Sequence, residues 1–159
     1  MGLHEFIEIA SELVGERFER MGSIRPILHF VDGEGEDVVI TIPPENDKDM
    51  IASLIRVVLK TVNASRVVFI DEGWMVGGEL SAEDHERLHR FGANSHPRRV
   101  EVLMFSGEDE KEGLTMATRL ILRKDDAKPR LGPLQFYSLE QGTTEGRLVG
   151  LLPRRKLSS

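Results

Sequence analysis

From Arg99 onward, apolar residues fall at every second position, in short runs separated by turns. Val100, Val102 and Met104 alternate with Glu101, Leu103 and Phe105. In the next run Leu114, Met116, Leu120 and Leu122 line one face, with Thr115, Arg119 and Arg123 on the other. Period two is the spacing of a strand with one buried face. The intervening segments are too short for the crossover, about a dozen residues or more, that a parallel pair requires. The second half is therefore expected to be antiparallel. Residues 99–105 and 114–123 pair as a hairpin around a charged loop, with Leu114, Met116, Leu120 and Leu122 facing the helices. Further strands follow at 134–139 and 147–152, around Gln141-Gly142-Thr143-Thr144, and Pro153 ends the last.

The first half alternates between two periods. Leu3, Phe6, Ile7, Ala10, Leu13, Val14, Phe18 and Met21 recur at three- and four-residue spacing, which predicts an amphipathic helix ending at Gly22-Ser23. Five glutamates occupy its other side. Residues 27–31 and 38–42 are β-branched runs flanking the acidic turn Asp32-Gly33-Glu34-Gly35-Glu36-Asp37, a hairpin pattern. The turn's carboxylates are similar to the start of a calcium loop. Pro43 stands where such a loop needs its last glutamate, however, and Asp37 stands where it needs glycine. After Pro43-Pro44, Asn46 is placed to cap a helix running to about Val62, with Ile51, Leu54, Ile55, Val58 and Val62 as its buried stripe. Arg66 to Ile70 is nearly continuous in apolar residues and reads as a central strand.

These elements predict an α+β fold. A single antiparallel sheet, an N-terminal hairpin plus a C-terminal meander, carries two main helices packed on one face. The chain reads as one domain over 1–159, with a polar excursion at about 73–97 and a loose tail at 154–159. At 159 residues it is long enough for a core of its own. No apolar run approaches the roughly 20 residues of a membrane span, and the N-terminus lacks the pattern of a secretory signal. The absence of cysteine removes disulfides and thiol chemistry, restricts any zinc site to His, Asp and Glu, and fits a cytoplasmic location. Residues 1–50 hold twelve acidic against four basic side chains, which would repel phosphate and argues against a general nucleic-acid binder.

His85-Glu86-Arg87-Leu88-His89 matches the zinc-peptidase pattern, in which two histidines one turn apart hold the metal and the glutamate is general base. Ser81, with Asp84 three positions on, would cap this helix, and Gly92 would end it. The flanks Glu83, Asp84, Arg87 and Arg90 are too polar for a buried active-site helix. His96 falls one position late for the longer pattern, which would put histidine where Ser95 stands. Asn94-Ser95-His96-Pro97 is similar to part of the His-x-His-Pro motif of metal-dependent deubiquitinases, but Asn94 replaces its first histidine. The sequence therefore reads as a solvated two-turn helix without metal or other cofactor. The alternative is a zinc-dependent hydrolase using His85, His89 and Glu86, with His96 or a carboxylate as third ligand.

Three short segments are shared with a recognisable group: Asp71-Glu72-Gly73-Trp74-Met75, His96-Pro97-Arg98-Arg99-Val100-Glu101 and Arg130-Leu131-Gly132-Pro133-Leu134. Over about residues 64–134 the chain resembles small α+β proteins of bacterial and phage or plasmid type whose function is not known. The resemblance implies no activity. It directs attention to Glu72, Trp74, Arg99 and Glu101 as a binding site. If strand 66–72 pairs antiparallel with strand 99–105, Arg99 is expected to bridge Glu72 and Trp74, forking onto the carboxylate and lying on the indole. The functional expectation is a non-catalytic module that binds another protein or assembles with itself.

Overall fold

The computed structural model describes residues 1–43, 47–76, 81–92, 96–124, 128–137 and 151–152. Among them, in chain order, lie α1 (Leu3–Met21), β1 (Ile27–Val31), β2 (Asp37–Thr41), α2 (Lys48–Thr61), β3 (Arg66–Val76), α3 (Ala82–Phe91), β4 (Arg99–Asp109), β5 (Gly113–Leu122), β6 (Arg130–Leu131) and β7 (Gln135–Tyr137). The fold is α+β, built on one antiparallel sheet of order β2-β1-β3-β4-β5-β6. β7 also pairs with β5, so β6 and β7 follow one another along the outer edge of that strand. Among the described residues no helix is long and apolar enough to cross a membrane.

The two main helices lie on opposite faces of the sheet, not on one face as expected. Strand alternation sends Ile27, Val68, Ile70, Leu103 and Phe105 to α1, where Phe6, Ile7, Ala10 and Phe18 meet them. Leu28, Phe30, Val67 and Phe69 point the other way, to Ile55 and Leu59 of α2 and to Leu151 and Leu152. The central strands are apolar on both faces, and only a second layer can keep both from water. α2 joins β2 to β3 past the intervening β1, and so covers the face that α1 leaves open.

Helix ends follow local chemistry. Gly22 closes α1 in the left-handed conformation, φ 79°, with its N–H on the Phe18 carbonyl at 2.7 Å. α2 is capped by Asp47, whose Oδ1 accepts from the N–H groups of Asp49 and Met50 at 3.1 Å each; Asn46, the expected cap, lies outside the described residues. The acidic turn is an aspartate turn, with Asp32 Oδ1 accepting from the N–H groups of Glu34 and Glu36 at 2.9 Å each.

Two strands outrun their apolar pattern. β3 continues to Val76, so the excursion begins after residue 76. Beyond Ile70 this strand has lost β1 but is paired with β4 as far as Val76↔Arg99. Backbone ladder bonds hold it extended through Asp71-Glu72-Gly73 whatever the side chains prefer. Likewise Ser106–Asp109, read as loop, stay in β4, and the β4–β5 turn shrinks to residues 110–112.

The hairpin of β4 with β5 forms with Phe105 opposite Ala117, but its faces are the reverse of those expected. Ala117 and Ile121 lie in the core beneath α1, whereas Leu122 is 50% exposed. Clearance decides this. A Cβ at Gly107 would stand 2.6 Å from Ile7 Cδ1, and one at Gly15 2.5 Å from Arg119 Nη1. The helix comes closest over Gly107 and Ala117, and Gly15 leaves room on the helix for the Arg119 side chain that rises from the same face of β5. The stripe of α2 is rotated as well: Ala52, Ile55 and Leu59 are buried, while Leu54 is 58% exposed. Gly77-Gly78, most of the expected strand 147–152 and the tail 154–159 lie outside the described residues.

Candidate binding surface

The far ends of β3 and β4 place three of the four residues singled out by the resemblance on neighbouring positions. Trp74 pairs with Glu101, Val76 with Arg99, and Glu72 with Leu103. Even-numbered β3 residues and odd-numbered β4 residues share the α1 face of the sheet, so Trp74, Arg99 and Glu101 form a cross-strand cluster there. The guanidinium carbon of Arg99 sits 5.2 Å from the Trp74 ring centroid, within cation–π range. Arg99 Nη1 also donates to the His96 carbonyl at 3.2 Å. Trp74 remains 42% exposed, so the stack is open to solvent.

Beside the stack, Arg123 forks onto Glu101, Nε to Oε2 at 2.9 Å and Nη2 to Oε1 at 2.6 Å. This bidentate pair holds the Glu101 carboxyl below its ordinary range and raises Arg123. The expected bridge from Arg99 to Glu72 is made only at its Trp74 end. Glu72 Oε1 accepts from the Ile24 N–H at 3.0 Å and ties the segment after α1 to the sheet. A free backbone donor beyond the helix end was the nearer partner, and chain spacing gives no sign of it.

The excursion returns to the sheet through a cluster around the buried His96 that sequence reasoning missed. Ser81 and Asp84 form a capping box on α3, as their spacing predicts. Asp84 does more. Its Oδ1 lies 3.0 Å from His96 Nε2, and its Oδ2 accepts from Arg98 Nη2 at 2.6 Å. His96 Nδ1 accepts the Arg98 N–H at 3.0 Å, so the proton lies on Nε2 and is donated to Asp84. The His96 bond, the Ser81 N–H and Arg98 together lower the Asp84 pKa to about 2. Twelve residues separate Asp84 from His96, and that spacing carries no recognisable signature.

This arrangement bears on the metal reading. His96 is buried, with both ring nitrogens engaged, while His85 and His89 are exposed on α3, which buries none of its residues. The structure does not bring the three histidines together as a ligand set. Among the described residues no group of three or more His, Cys, Asp or Glu side chains is placed to hold a metal ion. Asn94 and Ser95 lie outside the described residues.

On the α2 face of the same strand ends, Asp71 is half-buried. Burial pushes its carboxyl up, opposed by the Glu72 N–H that it accepts at 2.8 Å. The Tyr137 hydroxyl lies 2.9 Å from Thr118 Oγ1 and donates to Met75 Sδ at 3.3 Å, joining β7 to the β3 end. No family model, curated protein or solved structure matches the chain.

Proposed function

We propose that the chain is a non-catalytic protein-binding module of the cytoplasm. Its contact surface is the strand-end cluster of Trp74, Arg99 and Glu101, extended by Arg123. The observation that carries this reading is the exposed stack of Arg99 on Trp74. Tryptophan and arginine are the residue types most enriched where protein interfaces carry their binding energy. An exposed stack contributes little to folding, so its value lies in presenting a rigid, amphipathic plate. The Glu101–Arg123 fork fixes the rim of that plate, and the Asp84–His96–Arg98 cluster fixes the strand from which Arg99 projects. The titratable groups around it are thus held as structural pairs. Glu72, on the same face, flanks the surface and ties it to the segment after α1.

Trp74 is the only tryptophan, so its fluorescence reports directly on the surface. Linear peptides selected from a displayed library against the intact chain provide the probe. Selected binders should shift Trp74 emission and lose affinity for Arg99→Ala and Trp74→Phe, with melting temperature nearly unchanged. Binders that leave Trp74 emission unmoved and hold both variants as tightly as the parent would refute this assignment.

A further inference from the structure

The β2 edge ends in apolar surface in all three layers of the fold. β2 itself is an outer strand that carries neither proline nor lysine, and its one charge, Asp37, is turned to His29 at 3.3 Å. Such edges are ordinarily blunted against pairing. Val39 is 58% exposed on the α1 face, where Leu13 of α1, 59% exposed, stands over the same groove. On the α2 face, Ile40 borders a second apolar groove with Met50, Leu54 and Val58. The apolar side of α2 is wider than the sheet can cover.

We propose that this edge is the interface of a symmetric homodimer, in which two copies pair β2 antiparallel about Val39 and their sheets become continuous. The hydrogen-bond parity of the hairpin supports that register. Ile42 N–H donates to the Pro26 carbonyl and Asp32 N–H to the Glu36 carbonyl, so within the ladder Leu28↔Ile40 and Phe30↔Val38 exchange bonds internally. The N–H and C=O groups of Asp37, Val39 and Thr41 consequently point outward. A two-fold axis through Val39, perpendicular to the sheet, sets Val39 against Val39 of the partner subunit and Asp37 against Thr41 of the partner subunit. Within the paired residues 37–41 no like charges meet, and about six backbone bonds form.

The same axis keeps each face of the sheet on its own side, so the apolar grooves beside Val39 and Ile40 continue across it and α2 faces α2. A lone peptide strand would satisfy the backbone but leave Leu54 of α2 bare. A second copy supplies the strand and the α2 layer at once. The exposed apolar side chains of this end, Val39, Ile40, Met50, Leu54 and Val58, offer on the order of a few hundred Å² per copy toward the about 800 Å² per partner of a standard interface. The surface lies two strands from β3 and is independent of the Trp74 plate.

The test is sedimentation of the full chain across the micromolar range, with Val39→Lys and Leu54→Glu as variants. Both positions are exposed, so folding should be retained, as checked by melting temperature. The parent should sediment at twice the mass of one chain, and each variant should raise the dissociation constant by about tenfold or more. The chain has no cysteine, so Val39→Cys should form a disulfide-linked dimer under mild oxidation far faster than Lys124→Cys, at the other side of the sheet. A parent that stays monomeric, a dimer indifferent to both substitutions, or equal cross-linking at the two cysteines would each overturn the proposal. So would a monomeric parent destabilised by Val39→Lys, which would mean that the chain covers its own edge.

Discussion

Gly107→Ala places one methyl group where the sheet strand lies directly beneath buried side chains of α1. Its Cβ would stand 2.6 Å from Ile7 Cδ1, 3.2 Å from Ile7 Cγ1 and 3.3 Å from Leu3 Cδ1. Ile7 and Leu3 are buried, so Cδ1 has no solvent to retreat into, and either the rotamer or α1 must move. Overpacking of this kind costs about 1–3 kcal/mol. Replacing glycine also restricts the unfolded chain, which offsets about 0.4–1 kcal/mol. The net expectation is a destabilisation of about 0.5–2 kcal/mol, a fall in melting temperature of about 2–4 °C per kcal/mol for a chain of this size. Ile7→Val removes the clashing methyl and by itself costs about 0.5–1.5 kcal/mol. In the double variant the two changes relieve each other, so the combined loss should fall short of the sum by about 1 kcal/mol. Urea denaturation followed by circular dichroism and Trp74 emission measures all four corners of the cycle. Strict additivity, or a Gly107→Ala variant as stable as the parent, would show that α1 does not press on β4 as described.

Asp71→Asn should stabilise the protein at neutral pH. Burial raises the Asp71 carboxyl, so the folded state binds its proton more tightly than the unfolded chain and stability falls as pH rises through the carboxylate range. The variant's advantage should disappear well below about pH 4, where Asp71 is protonated in both states; an advantage that persists there would contradict a charge origin. Asp84→Ala should speed amide exchange across α3 and the 96–99 segment while leaving β1 and β3 unchanged. Because the Asp84 pKa is lowered to about 2, its contribution is present above the ordinary carboxylate range and is lost as pH falls toward that value. Slow exchange in α3 of this variant would refute the role of the cluster as its anchor. Untagged protein equilibrated with zinc and then dialysed should retain well under one metal per chain, since His96 is committed to Asp84 and Arg98. Stoichiometric zinc lost on His85→Ala would reverse that reading.

Periodicity and capping chemistry made much of the fold legible. The helix at 3–21 and the short helix at 82–91 occur with the bounds their spacing implies, and so does the antiparallel pairing of 99–105 with 114–123. The near-continuous run at 66–70 also marks a strand buried on both faces, which requires a layer on each. Of the candidate site, the neighbourhood of Trp74 and Arg99 followed from antiparallel pairing alone, because register converts sequence distance into position.

What the chain could not disclose by itself is which side of each element meets which neighbour. Period two sorts β5 into two faces and is silent on which one lies under a helix. The close approach of α1 over Gly107 and Ala117, with Gly15 making room for Arg119, settled that. A wide apolar stripe on α2 likewise admits several rotations, and packing against β1 and β3 chose Ala52, Ile55 and Leu59 over Leu54. Strand ends outlasted their hydrophobic pattern because ladder hydrogen bonds, not side chains, held residues 71–76. Glu72 and His96 found partners, Ile24 and Asp84, that are remote in sequence. Local chemistry determined where helices and strands form; excluded volume and long-range hydrogen bonds, which exist only once the layers meet, determined what each side chain touches.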